Sequence, residues 1–189
     1  WVAAQPYNAL YALNDLPAAV RHEAVMGEQA IHPWLREHLS STRNQSHSDD
    51  NRHRKLQASY YGLMSEVDDN LGRLVLALKE QDLWDKTIFI FTSDHGEQMG
   101  DHWMYSKTGF FDQSYHVPLI VSCPGVKPGS CDAFTEHVDI FPTIMDLLNV
   151  KTPRQCDGRS FIGALNGQGL HDWRSEVCFE FDFRHSAAE

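Results

Sequence analysis

Residues 87–107 read TIFIFTSDHGEQMGDHWMYSK, and the change of character within this stretch decides the fold. Its first six residues are β-branched or aromatic, apolar on both faces and too few for a helix. Such a run predicts a short buried strand of a parallel sheet. The run closes on Asp94 and His95, Gly96 follows at once, and Lys107 arrives twelve positions after the histidine. A second run of the same kind, VPLIVSC at 117–123, is closed by Pro124 and Gly125. In open α/β sheets ligands collect beyond the carboxyl ends of the strands, and Asp94 and His95 fall at such an end.

Upstream, Tyr60, Leu63, Met64, Val67, Leu71, Leu74, Val75 and Leu78 recur at steps of three and four. They predict one helix from Leu56 to Leu83 with a single apolar stripe. Before it, STRNQSHSDDNRHRK at 41–55 reads as a solvated loop, AIHPWLREHLS at 30–40 as a short helix, and 1–29, with Pro6 and Pro17, as irregular chain. Downstream, HVDIFPTIMDLLNV predicts an amphipathic helix with Ile140, Ile144, Leu147 and Leu148 on one side. Its Pro142 lies near the first turn, where a missing N–H costs little. RSFIGALNG reads as a short helix stopped by Gly167. In SEVCFEFDF, Val177, Phe179, Phe181 and Phe183 alternate with polar residues, which predicts a strand with one wet face. Helix, strand, strand, helix, strand is the order of an α/β sheet.

The bulk composition excludes several classes. A chain of 189 residues with 42% apolar residues and five Trp folds around a core. A net charge of −10 repels phosphate backbones and argues against a nucleic-acid partner. No apolar run approaches the roughly 20 residues that span a bilayer, so no membrane partner is expected. Cys123, Cys131, Cys156 and Cys178 form no CxxC pair and read as reduced thiols of a cytoplasmic protein. Asn44-Gln45-Ser46 fits a glycosylation acceptor, a triplet that arises often by chance.

Asp94 offers a hard oxygen and His95 a borderline nitrogen, which suits Mn²⁺, Ca²⁺ or Zn²⁺. Neighbouring residues of a strand point to opposite faces, so both reach one ion only if Gly96 turns the chain. Two ligands also need one or two more from elsewhere. On the residues alone, the pair reads equally as a helix cap beside a loop histidine, Lys107 as a surface charge, and His102 as a loop histidine with a backbone bond.

The joint pattern carries more. TSDHGEQMGDHWMYSKTGFFDQSYHVPLIVSCPG (92–125), with HVDIFPTIMDLL (137–148) and CDGRSF (156–161), resembles the C-terminal half of the sulfatase and phosphonate monoester hydrolase branch of the alkaline phosphatase superfamily. The resemblance runs from about Pro6 to Arg184 and is most specific between Thr92 and Pro118. Asp-His followed by this lysine is closer to the phosphonate monoester hydrolases and phosphodiesterases than to arylsulfatases, many of which carry Asp-Asn-Gly here. The resemblance implies an alkaline-phosphatase-like α/β sandwich with a mostly parallel central sheet, lacking its N-terminal portion. It implies that Asp94 and His95 bind one divalent cation (Mn, Ca or Zn), completed by upstream residues. Lys107 and His102 become the catalytic candidates, with Lys107 on a non-bridging oxygen of a small anionic ester. Asp112 falls where relatives carry an acidic residue and reads as structural; His116 stands where they commonly have Arg.

The nucleophile of that family, a formylglycine made from Cys or Ser in a Cys/Ser-x-Pro-x-Arg element, has no counterpart here. Cys123-Pro124-Gly125 lacks the spacing and the Arg. The chain therefore reads as the 56–150 core plus flanks of a larger hydrolase domain, completed by an N-terminal half or a second copy. The competing reading is a catalytically inactive, truncated module with a binding or assembly role.

Overall fold

Helix α3 organises the first part of the chain. The structure, a computed structural model, describes residues 1–46 and 48–180. They fall into two units, Trp1–Val121 and Ser122–Glu180.

In the first unit, α1 (Val25–Gln29) and α2 (Pro33–His38) precede α3 (Asp50–Glu80). Helix α2 starts with Pro33 in its first turn, and the His32 ring nitrogen Nδ1 accepts the Trp34 N–H at 3.1 Å. Asp49 caps α3, its Oδ1 accepting the N–H groups of Asn51 at 3.0 Å and Arg52 at 3.3 Å. So α3 begins six residues before the expected start at Leu56, inside the stretch expected to be a solvated loop. The polar start is helical because the chain around Leu13–Pro17 packs on it. Arg54 Nη1 donates to the Leu13 and Leu16 carbonyls, and Gln57 Nε2 to that of Pro17. The expected irregular segment 1–29 likewise holds α1, too short to leave a periodic signal.

The apolar stripe of α3 is only partly covered. Met64 (53% exposed), Val67 (51%) and Leu74 (49%) face outward among the described residues. The N-terminal segment runs along the helix instead, with the Tyr7 hydroxyl on Asp69 at 2.5 Å and that of Tyr11 beside Ser65 at 2.7 Å. After α3, a 3-10 turn at Trp84–Lys86 leads into β1 (Phe89–Thr92). A long loop and the single-turn α4 (Asp112–Tyr115) lead to β2 (Leu119–Ser122), and β1 pairs with β2. Both expected strands are present. The larger, mostly parallel sheet is not seen, because among the described residues the sheet has two strands. A small core of Leu35, Leu39 and Met104, flanked by Val25, Trp34 and Phe111, joins α2 to the loop after β1. Burying side chains of this size stabilises by roughly 2 kcal/mol each.

In the second unit, α5 (Ile140–Leu147) follows a 3-10 turn, and α6 (Ile162–Leu165) ends before Gly167 at φ +71°. Both match the expected helices. The expected C-terminal strand does not form over 175–180; Phe181, Asp182, Phe183 and Arg184 lie outside the described residues. An alternating pattern needs a neighbouring ladder, and the Cys178 N–H goes instead to the Glu136 side chain at 3.2 Å. All four cysteines are free thiols. No helix among the described residues is long and apolar enough to cross a membrane.

Candidate active site

Strand β1 delivers Asp94 and His95 to the start of the long loop, and the loop bends at once. The Gly96 N–H donates to the Ser114 carbonyl at 2.8 Å. A Cβ on Gly96 would lie 2.0 Å from the Gln113 carbonyl oxygen, so the backbone of α4 approaches more closely than any side chain allows. That contact is why glycine stands here. The chain bends at Asp94, and the two side chains converge: Asp94 Oδ2 is 3.4 Å from His95 Nε2.

The tautomer follows from the bonds. His95 Nδ1 sits 2.8 Å from the Gly96 carbonyl oxygen, which only accepts, so Nδ1 carries the proton and donates. Nε2 faces the Asp94 carboxylate: with a proton it donates to Oδ2, and without one it offers a lone pair to a metal. Asp94 Oδ1 accepts the His95 N–H at 3.0 Å. Partial desolvation pushes the Asp94 carboxyl up. The N–H bonds of His95 and of Asp94 itself, with the charges of His95 and Lys107, outweigh it and hold the group below the ordinary carboxylate value.

An imidazole nitrogen beside a carboxylate oxygen, with the second ring nitrogen fixed by a carbonyl, is a donor combination that divalent cations accept. Two ligands about 2.0–2.5 Å from one ion sit about 3.4 Å apart, so the pair fits a shared cation. Among the described residues no group of three or more His, Cys, Asp or Glu could hold a metal.

Lys107 is exposed and makes no ion pair among the described residues. Its charge nevertheless reaches Asp94. His102 keeps different company. Its Nδ1 lies 3.3 Å from Glu28 Oε2, and its ring stacks on Phe111 with centroids 3.9 Å apart. Asp112 opens α4, and neither it nor His116 forms an ion pair among the described residues.

The loop that joins these residues is unusual in its backbone. Met99 (φ 47°), His102 (52°), Trp103 (60°) and Ser106 (68°) are left-handed without being glycine. Each costs of order 1–3 kcal/mol and persists only where surroundings enforce it. The surroundings here are specific. Asp101 Oδ1 accepts the Val20 N–H at 2.7 Å, and its Oδ2 accepts from Gln113 Nε2 at 2.9 Å. The Trp103 indole donates to the His22 carbonyl at 2.8 Å, and Arg21 lies 3.9 Å over its ring. Gly100, at φ +93°, lets the buried His53 ring of α3 pack against the loop. Glu28, Glu97, Gln98 and Asp101 form this frame, and the residues alone did not mark them. Their partners lie up to 81 positions away, and nothing periodic announces such bonds.

The sulfatase family model matches residues 24–150. The multifunctional alkaline phosphatase superfamily protein PehA of Trinickia caryophylli is 40% identical over 97% of this chain and 38% of its own length. Arylsulfatase K of Mus musculus is 35% identical over 65% of this chain and 22% of its own. A phosphonate monoester hydrolase of Silicibacter pomeroyi superposes with a TM-score of 0.85 at 37% identity, over 92% of this chain and 36% of that structure. The chain thus spans well under half the length of the relatives it matches.

Proposed function

We propose, since this chain belongs to the sulfatase family, that it is part of a metal-dependent hydrolase of phosphonate or phosphate mono- and diesters or sulfate esters. The observation that carries the reading is the convergence of Asp94 Oδ2 and His95 Nε2 at 3.4 Å at the end of β1. Asp94 and His95 hold one divalent cation, Mn, Ca or Zn, and residues outside this chain complete its shell. The formylglycine-type nucleophile also comes from outside it. When bound, such an ion draws negative charge off the group being transferred.

The chain's own residues then divide the work. Gly96 fixes the angle at which the two ligands meet. The Gly96 carbonyl keeps a proton on His95 Nδ1, which leaves Nε2 for the cation. Lys107 presents a point charge to a non-bridging oxygen of the ester, where charge builds as the leaving group departs. His102, turned to Glu28, positions the loop. The Asp-His pair with this lysine favours phosphoryl over sulfuryl substrates. The exposed α3 stripe supports packing by a complementing segment or a second copy.

The test is metal content and turnover in the complete hydrolase. Asp94→Asn is expected to lower metal occupancy, and a phosphonate monoester with an aryl leaving group is expected to turn over faster than the matching aryl sulfate. Unchanged metal content in Asp94→Asn removes the pair from the site. Submillimolar metal binding by this chain alone would mean that the ligand set is wrong.

A further inference from the structure

Lys107 has to stay put if its charge is to act, and the residues on either side of it show how it does. Ser106 precedes it in the left-handed region, at φ 68°. Its N–H donates to Glu97 Oε1 at 2.6 Å, and its carbonyl accepts the Gln98 N–H at 2.8 Å. Thr108 follows it. The Thr108 N–H donates to Gln98 Oε1 at 3.4 Å, and its carbonyl accepts from Gln98 Nε2 at 2.9 Å. All four backbone polar groups flanking Lys107 are therefore taken by two consecutive residues, Glu97 and Gln98. Those two follow Asp94, His95 and Gly96 without interruption.

Gln98 does the larger share. It is 1% exposed, and its carboxamide offers one donor and one acceptor to a single residue, as a neighbouring strand would. A buried neutral amide does this without the desolvation cost of a charge. Glutamate would keep the acceptor, lose the donor and set a second carboxylate next to Glu97. An apolar side chain would leave both Thr108 groups without this partner.

We propose that Gln98 is the positioning residue for Lys107: it clamps Thr108 so that the backbone from which the lysine side chain springs is held in place relative to the Asp94–His95 pair. This rests on the reading of Lys107 as the group that meets the ester's anionic oxygen. The consequence is one hydrogen-bonded backbone unit from Asp94 to Thr108, which sets the base of the lysine side chain.

A double-mutant cycle in the complete hydrolase, with an aryl phosphonate monoester as substrate, tests this. Gln98→Met keeps length and removes both hydrogen bonds. It is expected to lower kcat roughly tenfold to a hundredfold, the scale of a misplacement of about 1 Å, with KM and metal content close to wild type. In a Lys107→Ala background the same change should cost less than about twofold, because the group it positions is gone. Gln98→Glu should fall between Gln98→Met and wild type. It carries the cycle if Gln98→Met does not yield folded protein. Two results overturn the inference: a folded Gln98 variant with wild-type kcat, or the full loss repeated on top of Lys107→Ala. If Lys107→Ala itself runs at the wild-type rate, the anion-contact reading fails first, and this inference with it.

Discussion

Glu28 Oε2 lies 3.3 Å from Nδ1 of His102, although 74 positions separate the two residues. Glu28 is 1% exposed, and its other oxygen accepts the His22 N–H at 3.0 Å. A carboxylate this deeply buried holds only because both oxygens are bonded. It ties α1 to the strained turn at Asp101–Trp103, which leads directly into the Met104 core contact. Glu28→Leu leaves the His22 N–H and the His102 ring without this acceptor and should destabilise by about 2 kcal/mol. Glu28→Gln keeps one acceptor and should lose about half as much. Urea unfolding measures both. Equal stability of the leucine variant and wild type would show that the turn is held without this pair.

Lys107 is the residue whose loss should affect rate most and stability least. Its side chain is exposed, so Lys107→Ala removes no packing. A single well-placed electrostatic group in such a site accounts for about 3 kcal/mol of transition-state stabilisation, so turnover should fall about a hundredfold or more with an unchanged melting temperature. Lys107→Arg should recover only part of the rate, since a planar fork replaces a point charge. A loss of tenfold or less on Lys107→Ala would return this lysine to the ordinary surface.

What could be read from the residues was what depends on near neighbours. Phe89–Thr92 and Leu119–Ser122 announced themselves because β-branched and aromatic runs have few other uses. The Asp94–His95 pair was legible because both groups are adjacent in the chain. The turn after it was also expected, although Gly96 is required for close approach of the Gln113 carbonyl. The start of α3 was hidden, since its first turns carry charged and polar residues whose burial depends on chain more than 30 positions upstream. Over 177–180 the alternation formed no strand for the opposite reason: period-two hydrophobicity describes a strand only where a partner strand pairs with it. The Glu28–His102 pair and the Gln98 clamp had no local signature at all.

Gly96 yields a sharp prediction from space alone. The nearest obstacle to a Cβ is backbone, the Gln113 carbonyl oxygen at 2.0 Å, which cannot swing aside as a side-chain tip would. Gly96→Ala must push α4 away, breaking the Gly96 N–H to Ser114 carbonyl bond, or unbend the turn that brings Asp94 to His95. Either outcome should cost about 3 kcal/mol or more and lower metal content in the complete hydrolase. Wild-type stability together with full metal occupancy would show that the turn tolerates a side chain.

Asp139, in the second unit, should govern acid stability there. It is fully buried. Its Oδ1 accepts the Arg159 N–H and Arg174 Nη2, each at 2.8 Å, and its Oδ2 accepts the Glu136 N–H at 2.8 Å and Arg174 Nη1. Burial pushes the Asp139 carboxyl up, but Arg174 and the two N–H groups more than offset it and hold it below the ordinary value. A carboxyl depressed in the folded state binds its proton more readily in the unfolded one. Its contribution is therefore complete above about pH 4, the ordinary carboxylate value, and is lost as pH falls through the folded-state pKa. Asp139→Asn leaves the mostly buried Arg174 guanidinium with Glu136 as its remaining ion partner among the described residues and should cost roughly 3 kcal/mol at pH 7. The cost should shrink between pH 4 and the depressed pKa, because the wild type loses the same interaction there. Urea midpoints at pH 7 and about pH 3 give the comparison, and a difference between variant and wild type that stays constant across that interval would rule out Asp139 as the source of the acid limb.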